Sequence, residues 1–229
     1  MNARFPQALL VDIDNTVYAY EPCHAAGLKA AFEEARVVGL WDREDEFVEA
    51  YDAARRGVKS RIDAHAAAHS RLLYFKGMIE ARLGCTDFDR LRRIEGAYWD
   101  GYASQLQPEP HCARVLQQAL RDGVRLAWIT NFTTERQIWK LTLLGLAGIE
   151  ALLVTSEEAG ADKPNPAIVD LALERLGIAN HSAWVIGDEA ADAEVARLRG
   201  LRALILGQTV RDWREIEEAL ADARNRRAA

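Results

Sequence analysis

Four short apolar runs, each followed by a helical stretch, occupy residues 125–206 and leave this chain few folds to choose from. Arg125-Leu126-Ala127-Trp128-Ile129, Ala151-Leu152-Leu153-Val154, Ala183-Trp184-Val185-Ile186 and Leu201 to Leu206 read as strands. The helix after Ile129 has Thr134 and Gln137 as a capping box and ends at Gly145. Asn165 caps the next, with Pro166 at its first position and Gly177 closing it. A third ends near Gly200, and a last one starts at Asp212, with fraying expected from Ala221 onward. Such alternation builds a parallel sheet with right-handed crossovers.

A fifth apolar run, Ala8-Leu9-Leu10, lies far upstream and is followed by a long helical stretch. Leu28, Ala31, Phe32 and Ala35 fall at helical spacing, as do Phe47, Tyr51, Ala54 and Val58. Leu72, Phe75, Ile79 and Leu83 continue the pattern. So do Phe88, Leu91, Ile94 and Tyr98, entered through an N-cap at Thr86 with Asp89 three residues on. Gln107-Pro108-Glu109-Pro110 then breaks the pattern. A lone strand cannot stand beside four helices, so residues 7–13 belong with the downstream sheet. The helices are therefore an insertion, which predicts a core of residues 1–16 and 108–229 and an inserted four-helix domain of residues 17–107.

Where the first strand ends, the chain reads Asp12-Ile13-Asp14-Asn15-Thr16. Two carboxylates at the end of a buried strand are costly to desolvate, and in open parallel sheets ligands bind at the carboxyl ends of the strands. A calcium loop is excluded, since its required glycine would be Val17 and its last acid Cys23. Each of three later strand ends is expected to carry a polar group of another kind: Thr130-Asn131, Lys163 in Asp162-Lys163-Pro164 just before a helix N-terminus, and Gly187-Asp188 with Asp192 one helical turn on. The chain has 24 arginines and five lysines, so Lys163 supplies a compact point charge where an arginine fork was the commoner choice. Asp12, Asp14, Asp188 and Asp192 crowded on one sheet edge would resist ionising unless a cation joined them. Oxygen donors without histidine point to Mg²⁺ rather than zinc.

Taken in this order, Asp12 to Thr16, Thr130-Asn131, Lys163-Pro164 and Gly187-Asp188 with Asp192 resemble the haloacid dehalogenase superfamily in its phosphatase branch. The resemblance spans the chain, because the helical insertion sits where that family carries its cap. It implies an α/β fold: a Rossmann-like parallel-sheet core with helices on both faces and an all-helical cap domain. It also implies Asp12 as nucleophile and Asp14 as general acid and base, provided crowding raises the Asp14 pKa. Mg²⁺ would be held by the carboxylates of Asp12 and Asp188 and the backbone carbonyl of Asp14. Thr130, Asn131 and Lys163 would hold the phosphoryl oxygens, and Asp192 would orient Lys163 or a metal-bound water. Residues 130–133, Gln137, Leu141, 156–160 and 163–165 look more narrowly like the nucleotidase and N-acylneuraminate-phosphatase group.

The expected activity is Mg²⁺-dependent phosphomonoester hydrolysis of a small phosphorylated metabolite, a nucleoside monophosphate or sugar phosphate, through an aspartyl-phosphate. The alternatives are a phosphomutase, which keeps every core motif, a metal-independent dehalogenase, which lacks the second acid, and a silent binding protein. A lid hinged near Val17–Glu21 and Gln107–Pro110 would choose the substrate, with Lys59, Arg61, His65, His69, Arg71 and Lys76 as its polar residues. His65 and His69 read as i, i+4 neighbours on one helix face. The net charge of −6 offers no general attraction to nucleic acid polymers or anionic membranes, and no apolar run spans a bilayer. Cys23, Cys85 and Cys112 are odd in number and far apart, which fits reduced thiols in a cytoplasmic monomer or homodimer.

Overall fold

The computed structural model describes residues 5–179 and 182–228 and contains two compact units, Met1–Ala19 with Gln107–Ala229, and Tyr20–Leu106. The second is all-helical: α1 (Tyr20–Val37), α2 (Glu44–Arg61), α3 (Arg71–Leu83) and α4 (Phe88–Ala103). Helices α1 and α4 approach at glycines. A Cβ on Gly101 would lie 2.6 Å from the Ala26 carbonyl oxygen, and one on Gly27 would lie 2.8 Å from the Tyr98 ring. Phe47, Tyr51, Phe75 and Tyr98 fill the centre, each at most 1% exposed.

Several local expectations fail in this unit. Phe88 is 76% exposed, and the buried face of α3 runs through Arg71, Tyr74, Phe75, Met78 and Ile79 rather than Leu72 and Leu83. The N-cap of α4 is Asp87, whose carboxylate accepts from the Arg90 N–H, while the Thr86 hydroxyl donates to Glu80. His65 and His69 do not share a helix face. Helix α2 stops at Arg61, and the two histidines flank and end a short 3₁₀ turn, Ala66–His69, in which His65 Nδ1 accepts from the Ala67 N–H.

In the first unit, β1 (Ala8–Val11), β2 (Arg125–Thr130), β3 (Leu152–Thr155), β4 (Ala183–Gly187) and β5 (Arg202–Ile205) form one parallel sheet in the order β3-β2-β1-β4-β5. Leu10 stands opposite Ala127 on one side and Val185 on the other. Successive side chains point to opposite faces. Ala8, Leu10, Ala127, Ile129 and Val185 accordingly join one buried cluster with Ile168, Val169 and Leu173 of α8 (Ala167–Leu176) and Val195 of α9 (Ala190–Leu198). Leu9, Val11, Leu126 and Trp128 are buried too. Helix α5 (Cys112–Arg121) packs on β2, and α10 (Trp213–Ala228) packs on α5. Burial on both faces is why these strands read as unbroken apolar runs.

Helix α10 continues through Ala228 instead of fraying at Ala221, with Ala223 buried and Arg224 paired to Asp122 at 2.8 Å. Its start is capped as expected, by Asp212 accepting from the Arg214 and Glu215 N–H groups. The chain leaves and re-enters this unit side by side. The Glu109 N–H donates to the Val17 carbonyl at 2.7 Å, beside a bridge between Tyr18 and Pro108. No described helix is long and apolar enough to cross a membrane, and all three cysteines are free.

Candidate active site

Strand β1 lies at the centre of the sheet, with β2 and β4 on either side, so the strand order reverses around it. Asp12 follows directly on its last residue, at the switch point where α/β sheets bind ligands. Beyond it the backbone turns sharply. The Thr16 and Val17 N–H groups both donate to the Ile13 carbonyl, and Asn15 takes φ +58°. Left-handed backbone is hard for most side chains and tolerable for asparagine, so Asn15 fits where glycine would otherwise be the easy choice. Trp213 fixes the turn by donating its indole N–H to the Thr16 carbonyl at 2.9 Å.

Lys163, expected at a strand end, instead lies in the loop between the short helix α7 (Ser156–Ala159) that follows β3 and α8, and from there it is the hub of the acids around Asp12. Its ammonium donates to Asp12 Oδ1 at 2.5 Å, Asp192 Oδ1 at 2.7 Å and the Ile129 carbonyl at 3.2 Å. Its backbone is clamped by Asn131, whose Oδ1 accepts from the Lys163 N–H at 2.6 Å and whose Nδ2 donates to the Lys163 carbonyl at 3.0 Å. The Asn131 side chain is thus occupied in placing the lysine. Asp192 Oδ2 accepts from the Asp188 and Glu189 N–H groups at the start of α9. Gly187 makes that possible, since a Cβ there would lie 2.3 Å from the Asp192 carboxyl carbon. The Thr16 hydroxyl lies 3.4 Å from Asp12 Oδ2 and 3.3 Å from Asp188 Oδ1.

Carboxylate oxygens of Asp12, Asp188 and Asp192 can all lie within 4.8 Å of one another. Burial pushes the Asp12 carboxyl well above the usual carboxylate range. Lys163 pulls against that shift, and Asp192 and Asp14 add to it. Burial, then Asp192 and Glu189, push Asp188 up to about 6. For Lys163 burial opposes the charge, but Asp12 and Asp192 outweigh it and raise the ammonium pKa. One lysine therefore serves several acids and the cluster is short of positive charge. An all-oxygen, acid-rich set of this kind fits a hard divalent cation such as Mg²⁺.

Asp14 is turned to a different set of groups. Its Oδ1 accepts from Lys140 Nζ at 2.6 Å and from the Tyr18 hydroxyl, and its Oδ2 accepts from Gln137 Nε2 at 3.1 Å. Gln137 Nε2 also donates to Thr130 Oγ1 at 2.7 Å. The expected capping box of Thr134 and Gln137 is thereby overturned. Helix α6 (Thr134–Leu143) has Thr133 at its N-cap without a side-chain cap bond, and Gln137 points into the site. Sequence reading passed over Lys140, Tyr18 and the true use of Gln137. A signal was present, because Lys140 is one of only five lysines and falls three residues after Gln137.

The family described as haloacid dehalogenase-like hydrolase matches residues 6–200. A ribulose-1,5-bisphosphate 5-phosphatase of Halopiger xanaduensis is 37% identical over 199 residues, covering 86% of this chain and 83% of that one. A phosphoserine phosphatase of Thermus thermophilus is 30% identical and covers 94% of each. Among solved structures, the HAD-hydrolase YfnB of Bacillus subtilis, bound to magnesium, superposes with a TM-score of 0.72 at 19% identity, covering 95% of this chain and all of that one.

Proposed function

Because this chain belongs to the haloacid dehalogenase-like hydrolase family, in its phosphatase branch, we propose that it hydrolyses small phosphate monoesters through a phosphorylated Asp12. The observation that carries the reading is Asp12 at the end of the central strand, its Oδ1 2.5 Å from the buried Lys163 ammonium. A carboxylate attacking an anionic phosphoryl group needs its charge offset, and a lysine in that position offsets it.

In the first step an Asp12 carboxylate oxygen bonds to phosphorus as the bond to the departing alkoxide breaks, and Asp14 gives that oxygen a proton. In the second, Asp14 takes a proton from water as its oxygen bonds to the same phosphorus, and the bond to Asp12 breaks to release phosphate. Two moderate barriers replace one high one, and one carboxyl group serves as acid and then base. Lys163 and Thr130 grip the phosphoryl oxygens. Asn131 and Asp192 hold Lys163 in place. Asp12, Asp188 and the Asp14 carbonyl would hold Mg²⁺, which when bound neutralises negative charge on the transferring group.

This reading places catalysis in residues 1–16 and 108–229, with residues 17–107 as the inserted cap. The substrate class is a small phosphorylated metabolite. The ribulose-bisphosphate-cleaving relative favours sugar phosphates over nucleoside monophosphates at the head of the panel. Three free cysteines favour a cytoplasmic setting. The test is hydrolysis of a metabolite phosphate panel with and without Mg²⁺, with mass spectrometry of Asp14→Asn enzyme trapped on an aryl phosphate whose leaving group needs no acid. A phosphoryl group on Asp12 is expected, and its appearance on any other residue would overturn the mechanism.

A further inference from the structure

Lys140 is a lysine where lysines seldom go. It is 1% exposed, in the last turn of α6, and its ammonium ends 2.6 Å from Asp14 Oδ1. Lysines are almost never buried to this degree unless paired. Aromatic faces hold the ammonium, with the Phe132 centroid at 4.6 Å and the Tyr18 centroid at 5.7 Å. The same Tyr18 donates its hydroxyl to Asp14 Oδ1. Two aromatic residues of the same unit, Tyr18 and Phe132, thus converge on one carboxylate oxygen and the cation that faces it.

Gln137 holds the other oxygen. Side chains three apart share a helix face, so Gln137 and Lys140 reach Asp14 together. Gln137 is fully buried, and its Nε2 lies between Asp14 Oδ2 and Thr130 Oγ1. Among the described residues its own Oε1 has no hydrogen-bond partner. Burying an unsatisfied acceptor is unfavourable, and such groups call for an explanation. Here the explanation is that Asp14 requires the donor end of the amide, so the acceptor end goes without.

We infer that Lys140 and Gln137 are positioning residues that fix the Asp14 carboxyl group for proton transfer, a role additional to the phosphoryl grip of Lys163. The inference rests on the phosphatase reading above. A carboxyl group held through both oxygens keeps one orientation through both half-reactions: as the neutral acid it hands its proton to the leaving oxygen as that P–O bond breaks, and as the carboxylate this leaves, facing Lys140, it takes one from the attacking water. Gln137 further ties Asp14 to Thr130, so the proton-transfer group and a phosphoryl-binding group are set by one side chain.

The test uses two esters that differ in their need for an acid. Glycerol phosphate releases a poor alkoxide that must be protonated, whereas 2,4-dinitrophenyl phosphate releases a stable phenolate. Phosphoenzyme formation is measured in single turnovers by the full-length Mg²⁺-loaded enzyme and its Lys140→Met variant. With glycerol phosphate the rate is expected to fall about 100-fold, within the usual range of general acid catalysis. With the dinitrophenyl ester it should fall less than about threefold, and KM for both should hold within about threefold, since an unneeded proton cannot be missed. Gln137→Met should show the same selectivity at a smaller amplitude, and it carries the test if Lys140→Met does not fold. An equal loss on both esters, or a loss confined to KM, would overturn the inference and leave the cluster a purely structural ion pair. Failure of the wild-type enzyme on every ester would instead overturn the phosphatase reading itself.

Discussion

The two units bury their cations in opposite ways. In the first, Lys163 and Lys140 are met by carboxylates: Asp12 and Asp192 around one, Asp14 against the other. In the second, Arg71 is 8% exposed and donates to the Tyr20 hydroxyl at 2.5 Å, the Tyr98 hydroxyl at 3.4 Å and the His69 carbonyl at 2.7 Å. It also lies over the Tyr20 and Tyr74 rings. Phenol hydroxyls and aromatic rings are thus among the groups that hold this cation in place. The acid-rich site pushes the Asp188 carboxyl up to about 6. The tyrosine-lined cluster does the reverse: burial, then Arg71 and Arg55, push His24 down to about 4. Among the described residues, the acid-rich region is the one that gathers three carboxylates able to hold a metal ion.

The largest effect that bears on this contrast is loss of the nucleophile. Asp12→Asn keeps the shape and removes the attacking oxygen, so turnover should drop by about 10⁴-fold or more, read from initial rates on the best panel substrate. Appreciable steady-state turnover would remove Asp12 from the chemistry. Next comes the metal. Chelation should abolish activity, and Asp188→Ala should cost about 10²–10³-fold, a range set by removing a charge-stabilising group from the transition state. Full activity after exhaustive dialysis against chelator would mean the acid cluster serves something other than Mg²⁺.

Stability should separate the two kinds of partner. Lys163→Met leaves Asp12 and Asp192 buried without their cation, and breaking such a pair costs about 3–5 kcal/mol. Tyr98→Phe removes only a phenol that bonds Arg71 and His24, for about 1 kcal/mol. Urea midpoints measure both, and equal losses would erase the distinction between charged and neutral partners.

The smallest expected effect is a pair of opposite pH slopes, measured in chelator by denaturant unfolding between about pH 4 and 6.5. His24 has a lowered folded pKa, so its contribution is complete above 6.5 and lost as pH falls towards 4. Asp188 has a raised folded pKa, so its contribution is present below 3.8 and lost as pH rises through about 6. His24→Gln should therefore flatten the acid-side loss, while Asp188→Asn should flatten the loss towards neutrality. Slopes of the same sign from both variants would contradict the two environments.

Much of the first unit was legible in the chain, because buried parallel strands are nearly continuous apolar runs and Asp12, Thr130 and Asp188 fall where a strand stops. The strand bounds shifted by one or two residues. The helical insert was less legible. Phe88 and Leu72 satisfy the helical period yet face solvent, because periodicity gives the spacing of a face and not which face is covered.

The sequence by itself determined the class of fold, the insertion of the helices after the first strand, and the acids at the strand ends, since these depend on local pattern and chain order. Only the tertiary structure decided the strand order and the partners of each polar group. Gln137 as a capping residue and Gln137 as a clamp on Asp14 are indistinguishable in one dimension. Lys140 lies 126 residues from the carboxylate it meets. Partners that far apart are brought together by the packing of α6 on the sheet, where it meets β3, which no local propensity encodes.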